Sequence, residues 1–140
     1  MSWEDVKLLT VTVNRLDRWY VPGALLIGDA AHAMSPIGGV GVNLAVQDAV
    51  ATARLLGPTL RDGRVPTEAE LEAVAQRRHR PTVVTQNIQR VAQRRVVDPL
   101  LAATGEITAP LPIRLLKRIP ALQGLPARLI GLGVRPEHLN

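Results

Sequence analysis

Residues 24–56 read ALLIGDAAHAMSPIGGVGVNLAVQDAVATARLL, and this stretch decides the fold. It begins with an apolar run, 24–27, which follows a proline–glycine turn and lacks the alternation of a half-exposed strand. Such a run is typical of a strand that is buried on both faces, as in a parallel sheet. We therefore predict a strand that ends at Gly28 and Asp29, at the sheet edge where open α/β sheets bind ligands.

A glycine-rich loop and a helix follow this strand. The glycines at positions 38, 39 and 41 lack a Cβ, so the backbone there can adopt positive φ and approach a flat ligand or a phosphate closely. We predict a helix from about Asn43, with Asn43 as its N-cap and with Gly57 and Pro58 at its end. The predicted apolar positions of this helix are Val46, Ala49, Val50, Ala53 and Leu56. The positive end of its dipole then faces the loop, which predicts an anion or polar-ligand site.

The rest of the chain is predicted to be mainly helical. Residues 67–70 have the form of a capping box, so a helix is expected over 67–97, with a kink at Pro81 and an end before Pro99. Its second half has a predicted stripe made of Val84, Ile88, Val91 and Arg95. A strand is predicted over 7–13, where apolar residues and threonines alternate. The tail, 104–140, is interrupted by prolines, and two short helices are predicted near 113–119 and 126–132.

Composition and charge exclude several classes of function. A chain of 140 residues fits one domain, and the absence of Cys excludes disulfides, thiolate metal sites and a cysteine nucleophile. The three His lie far apart in sequence, so no metal site is predicted. Residues 1–72 carry a net charge of −3 and residues 73–140 carry +8. We interpret the basic half as solvated helix faces and predict no nucleic-acid partner, since no aromatic residues interleave with the arginines. No segment has the length of a membrane span and no secretory signal is present, so we expect a cytoplasmic protein.

The segments 28–36, 38–45 and 47–49 together resemble the C-terminal flavin motif of the aromatic hydroxylase family. These are single-component FAD-dependent monooxygenases of the 4-hydroxybenzoate hydroxylase type. Further similarity lies at Arg18-Trp19, in the helix from Arg77-Arg78 to Gln86–Gln89, and in the tail at 126–133 and 135–137. The resemblance implies an α/β, Rossmann-like FAD/NAD(P)-binding fold, of which this chain would be a mostly helical portion with one or two strands.

The resemblance also implies a cofactor and a set of binding residues. FAD would be bound, NAD(P)H would reduce it, and O2 would serve to hydroxylate an electron-rich aromatic or quinone-like substrate. Asp29 would accept hydrogen bonds from the ribityl hydroxyls, Pro36 would line the active-site face of the flavin ring, and residues 38–43 would run beside its pyrimidine end. The implied cofactor-binding residues are Gly28, Asp29, Pro36, Gly38, Gly39, Val40, Gly41, Val42 and Asn43. No catalytic residue is assigned: His32 is interpreted as a packed side chain, and Ser35 has no triad partners in view.

The family's dinucleotide fingerprint, G-x-G-x-x-G, does not occur in this sequence. We therefore expect residues 1–140 to be the C-terminal portion of a FAD-binding domain, inactive in isolation, with an N-terminal partner fragment or self-association covering its apolar surface. The aromatic substrate would belong to the intact enzyme. The alternative is a non-catalytic helical remnant of such an enzyme that binds no flavin alone.

Overall fold

The computed structural model describes residues 12–103, Arg114 and residues 118–138, which are mainly helical and include two short strands, as predicted. The elements in chain order are β1 (Tyr20–Val21), β2 (Ala24–Leu25), α1 (Val40–Arg61), α2 (Glu68–Ala92), α3 (Asp98–Ala102) and α4 (Pro120–Leu132). Two 3-10 turns, Gly28–Ala30 and Ile37–Gly39, precede α1, and a π turn, Gln93–Val97, joins α2 to α3.

The strand predicted over 24–27 is shorter and more exposed than expected. β2 pairs antiparallel with β1 as a hairpin, and Gly23 supplies the positive φ of the turn. Ala24 and Leu26 are exposed. Among the described residues the sheet has these two strands alone, and the exposed Ala24 shows that β2 is not buried on both faces as the apolar run predicted. The other predicted strand, 7–13, lies outside the described residues except for positions 12–13, which are not in a strand.

Helix α1 begins and ends three residues away from its predicted limits. Its N-cap is Gly39, in the left-handed region at φ +63°, so a glycine conformation begins the helix where a polar cap was expected at Asn43. Pro58 lies inside the last turn and does not end the helix. A proline removes only its own N–H from the helix ladder, and the residues after it can still donate to the preceding turn.

The buried face of α1 differs from the predicted one. Val46, Ala49 and Ala53 are exposed, and of the predicted stripe only Leu56 is buried. The residues that α1 buries are Val40, Leu44, Asp48, Ala51, Leu56 and Thr59. The apolar periodicity misled because a charged residue, Asp48, belongs to the inner face.

Helix α2 has the predicted capping box and runs through Pro81 without interruption. The Thr67 hydroxyl accepts from the Glu70 N–H at 3.3 Å, and the Glu70 carboxylate accepts from the Thr67 N–H at 2.8 Å. Pro81 is buried. The helical structure also continues past its predicted end, because Pro99 occupies the first turn of α3, where no N–H is needed.

The buried face of α2 is also largely polar, and the predicted stripe is wrong. Val84, Ile88 and Val91 are each more than a third exposed, and Arg95 is exposed. The residues that α2 buries are Leu71, Val74, Arg78, Pro81, Thr82, Gln86 and Gln89. A small apolar core forms where Leu71 and Val74 of α2 meet Leu56 of α1, and the hairpin packs against it.

Helix α4 covers the second helix predicted in the tail and begins earlier, at Pro120. The helix predicted near 113–119 falls largely outside the described residues.

Candidate functional site

The turn that carries Asp29 requires glycine at position 28 for two reasons. Gly28 has φ +57°, and a Cβ built on it would lie 3.0 Å from the Cβ of Ala45 on α1. Its carbonyl oxygen accepts from the N–H groups of Ala31 and His32, at 2.9 and 2.8 Å. The 3-10 turn is therefore closed on itself and packed directly against α1.

The Asp29 side chain is available to a ligand. Asp29 is exposed, and within the described part of the chain its carboxylate accepts no hydrogen bond. A carboxylate at this position can accept strong, charge-assisted hydrogen bonds from ligand hydroxyls. The role toward a ribityl chain that the resemblance implies for Asp29 stays a prediction.

The second part of the site is the N-terminus of α1. Gly38 and Gly39 have φ +79° and +63°, and a Cβ on Gly39 would meet no atom within 4 Å. No side chain among the described residues caps the helix, so its first amide N–H groups lack a side-chain partner at the positive end of the dipole. Pro36 and Val42 are exposed nearby in the chain, whereas Val40 is buried. This opening suits a flat, electron-rich ligand edge.

The predicted N-cap, Asn43, has a different role. It lies within the first turns of α1, and its side-chain amide donates to the Ile130 carbonyl of α4 at 3.4 Å. One turn later, Gln47 donates to the Leu132 carbonyl at 3.1 Å. Both side chains therefore bind carbonyls at the end of α4 that have no partner within that helix.

Beneath the Asp29 turn lies a buried carboxylate, Asp48. Its Oδ2 accepts from the Gly28 N–H at 3.0 Å and lies 2.6 Å from His32 Nε2, and its Oδ1 accepts from Arg78 Nε at 2.8 Å. The side chains of Asp48, His32 and Arg78 have no exposed surface. Burial raises the pKa of the Asp48 carboxyl, but the hydrogen bonds, that of His32 first, lower it more, so this pKa lies below its ordinary value.

A second buried carboxylate, Glu137, extends this network to the C-terminal segment. It accepts two hydrogen bonds from Arg77, at 2.7 and 3.1 Å, and lies 3.0 Å from a guanidinium nitrogen of Arg54 and 3.5 Å from one of Arg78. Burial raises the Glu137 pKa and the hydrogen bonds from Arg77 lower it more, so the net shift is downward. Glu137 thus connects α1, α2 and the segment after α4.

His32 is buried completely, as its interpretation as a packed residue predicts. Its ring lies 5.0 Å from that of Trp19, and its Nε2 faces an acceptor, the Asp48 carboxylate, and therefore carries the hydrogen. Nδ1 has no partner among the described residues. Nothing in this environment exposes His32 to a ligand.

Two glutamines of α2 hold the backbone that leads to Pro36. Gln86 donates to the carbonyls of Asn14 and Ala33 at 2.7 and 3.2 Å. Gln89 donates to the Ser35 carbonyl at 2.8 Å and accepts from the Ser35 N–H at 3.2 Å. Pro36 also borders an open cavity of about 570 Å³, which it shares with Gln89, Arg90, Gln93, Arg94 and Val97.

All nine predicted cofactor-binding residues thus lie in the turn, the loop and the first residues of α1. The sequence interpretation missed the supporting residues Asp48, Arg78 and Glu137. For Asp48 a signal existed, because it stands four residues after Leu44 and three before Ala51, on one helical face. A charged residue on an otherwise apolar face indicates a buried partner.

The comparison with protein families identifies the family of this chain. The model of the FAD binding domain family matches residues 1–91, which is more than half of the chain. The chain belongs to the FAD-binding domain family. FAD is its cofactor, and the predicted resemblance to FAD-dependent aromatic hydroxylases is confirmed.

Curated relatives of this FAD-binding chain include monooxygenases. It is 40% identical over 131 residues to 6-methylpretetramide 4-monooxygenase of Streptomyces rimosus, covering 91% of this chain and 30% of that protein. It is 62% identical over 56 residues to kynurenine 3-monooxygenase of Stenotrophomonas maltophilia, covering 39% of this chain and 12% of that protein. The chain therefore spans less than a third of the length of these relatives.

A solved structure shares the fold of the FAD-binding chain. RebC-10x, described in native and K252c-bound forms, superposes with a TM-score of 0.64 at 25% sequence identity, over 91% of this chain and 26% of its own length. In the described ranges, no helix combines the length and the apolar character that crossing a membrane requires. The same ranges contain no group of three acidic or histidine side chains arranged to hold a metal ion.

Proposed function

We propose that this chain is the FAD-binding segment of a flavin-dependent monooxygenase that hydroxylates an aromatic or quinone-like substrate with NAD(P)H and O2. The observation that carries the proposal is the exposed Asp29 carboxylate, which has no hydrogen-bond partner among the described residues, in the segment that leads to the N-terminus of α1 in a chain of the FAD-binding family. The names of the monooxygenase relatives support the reaction type.

Different residues would bind the ribityl chain and the pyrimidine end of the flavin ring. Asp29 would accept hydrogen bonds from ribityl hydroxyls, and the backbone of Gly38 and Gly39 would leave room for the ring edge. The amides and dipole of α1 would favour negative charge at the pyrimidine end. Bound FAD would supply the redox chemistry between NAD(P)H and O2.

The cavity beside Pro36 supports a small aromatic substrate. Its volume of about 570 Å³ lies within the range of small-molecule sites. If Pro36 lines the active-site face of the flavin, as the family resemblance implies, the substrate would lie on the side of the flavin where this cavity opens. Arg90, Arg94 and Asp98 line its wall, and the two guanidinium groups together outweigh the one carboxylate and would favour phenolate or carboxylate groups on the substrate.

The proposal includes a covering partner for the hairpin and a cytoplasmic location. Val21 is 54% exposed and Leu26 is 41% exposed, and apolar residues at a short sheet edge favour association. Since the relatives are longer proteins, we expect the covering surface to come from an N-terminal segment or from a second copy. Sedimentation at increasing protein concentration, with and without such a segment, distinguishes these two partners.

Titration of the chain with FAD, followed by the change in flavin absorbance and fluorescence, tests the binding proposal. Asp29→Ala should weaken binding roughly 10- to 100-fold, because it removes a charged acceptor. Asp62→Ala is the matched control, since Asp62 is an exposed carboxylate at the other end of α1. A folded chain that takes up no FAD would support the alternative, the non-catalytic remnant. Equal affinity in both variants would contradict the role of Asp29.

A further inference from the structure

The Asp48 carboxylate lies directly under the turn that presents Asp29. Two of its three donors, the Gly28 N–H and His32 Nε2, belong to the segment 28–32, and both approach the same oxygen, Oδ2. We propose that Asp48 is the positioning residue of the flavin site: it fixes the direction of the Asp29 carboxylate. The inference rests on the proposed contact between Asp29 and FAD and adds the residue that makes this contact geometrically defined.

Asp48 holds both ends of the Asp29 turn. Gly28 precedes Asp29 and His32 follows it, so two bonds to one oxygen bracket the ligand-binding side chain. The Gly28 carbonyl accepts from the backbone of Ala31 and His32, which closes the segment between these two points. The bonds to Asp48 therefore determine the path of the backbone through Asp29.

The Asp48 carboxylate is itself held in place by Arg78. Its Oδ1 accepts from Arg78 Nε, and the same guanidinium donates to Gln47 Oε1 and to the Arg135 carbonyl, each at 3.2 Å. Rotation of the carboxylate would break its bonds to Gly28, His32 and Arg78 together. A fully buried carboxylate also cannot replace lost donors with water.

The donors to Oδ2 distinguish a positioning role of Asp48 from a simple cross-link between helices. The ion pair between Asp48 and Arg78 joins α1 to α2 without any contribution from Gly28. If Asp48 only cross-linked the two helices, its Oδ2 would not need a donor from the turn. Here Oδ2 accepts from the backbone N–H of Gly28, next to Asp29, and from the ring of His32. Buried ion pairs are in addition weak sources of net stability.

Asp48→Asn is the test, because it keeps the shape of the side chain and removes its charge. FAD affinity should fall about tenfold, since the turn loses a bond from a charged acceptor. The decisive measurement is a double-mutant cycle with Asp29→Ala. If Asp48 acts through Asp29, the double variant should bind FAD no more weakly than Asp29→Ala alone. Additive losses would overturn the proposal.

Val74→Ala provides the control for a purely structural effect. Val74 is fully buried in the core formed with Leu56 and Leu71, so this variant loses stability without touching the turn. It should leave FAD affinity of the folded protein near the wild-type value. If it weakens FAD binding as much as Asp48→Asn does, Asp48 has only a structural role.

A second measurement requires no FAD. Hydrogen exchange of the Gly28 amide in the full chain should accelerate in Asp48→Asn more than in Val74→Ala at equal global stability. If Asp48→Asn does not fold, Arg78→Lys keeps the charge but removes the fork, and should give a smaller acceleration of the same amide. Unchanged exchange in the variant that folds would overturn the proposal. A wild-type chain that binds no FAD would instead reject the proposed function, while this exchange still decides whether Asp48 holds the turn.

Discussion

The two aspartates at the start of the site, Asp29 and Asp48, have opposite surroundings. Asp29 lies on the surface with no donor among the described residues, whereas Asp48 is buried and takes donors from the turn and from α2. The first is free to bind a ligand and the second is fully occupied by the protein. The difference teaches that one carboxylate, Asp29, is available to contact a ligand, while another, Asp48, holds the turn that carries it.

The energetic reason is hydration. An exposed carboxylate keeps its water until a ligand replaces it, so an unpaired Asp29 costs the fold little. A buried carboxylate without partners would cost several kcal/mol, which is why Asp48 requires its three donors. Substitutions at the two carboxylates and their surroundings test this difference.

Asp48→Ala should have the largest effect, because the buried guanidinium of Arg78 loses the carboxylate that its Nε binds at 2.8 Å and keeps the more distant one of Glu137, at 3.5 Å. We expect the free energy of unfolding to fall by about 3–5 kcal/mol, which urea denaturation followed by circular dichroism measures. A loss below about 1 kcal/mol, in the range of surface pairs, would show that the fold does not depend on this buried network.

Gly28→Ala should have the next largest effect. The new methyl would lie 3.0 Å from Ala45 Cβ, and the residue would have to hold φ +57°, so we expect a loss of about 1–3 kcal/mol. Gly124→Ala is the control: Gly124 lies in α4, its new methyl would meet no atom within 4 Å, and the change should be neutral or stabilising. Similar thermal shifts for both variants would contradict the close approach of the turn to α1.

Acid should weaken the fold through the capping box of α2. Hydrogen bonds from Thr59 and from Thr67 lower the pKa of Glu70 from 4.5 to about 2. Because the folded-state pKa is the lower one, this contribution is complete above pH 4.5 and is lost as the pH falls toward 2. Urea denaturation at several pH values across this window measures it, and Glu70→Gln should reduce the slope. An unchanged slope in that variant would assign acid sensitivity to other carboxylates.

Asp29→Ala should have the smallest effect on folding, within about 0.5 kcal/mol of wild type, since an exposed and unpaired side chain supports no contact. Thermal denaturation without FAD measures it. A large loss would mean that Asp29 has a structural partner, and the contrast with Asp48 would disappear.

The local features of the fold were predictable from the sequence, and the buried faces of the helices were not. The capping box at Thr67 depends on residues close in the chain, so its pattern sufficed. The inner faces of α1 and α2 contain Asp48, Arg78 and Gln86, whose partners lie far away in sequence. Hydropathy assigns such residues to the surface, because it cannot include a hydrogen bond that only the tertiary structure supplies.

The start of α1 was misplaced for a related reason. Sequence rules seek a polar N-cap, and Asn43 was the nearest candidate. The chain instead begins the helix at Val40 through the left-handed conformation of Gly39, which leaves the end of the helix uncapped. An uncapped end is unfavourable for an isolated helix and is suitable for a ligand site, so a rule based on helix stability could not locate it.

The two glutamines of α2 have a consequence for sequence variation. Gln86 and Gln89 bind main-chain atoms at Asn14, Ala33 and Ser35, much as a neighbouring strand would. Main-chain atoms are the same in every residue, so these bonds do not depend on which side chains the loop carries. Two side chains of α2 therefore fix the backbone path of the loop. The side chains of the loop can change to suit a different ligand while its backbone keeps the same path.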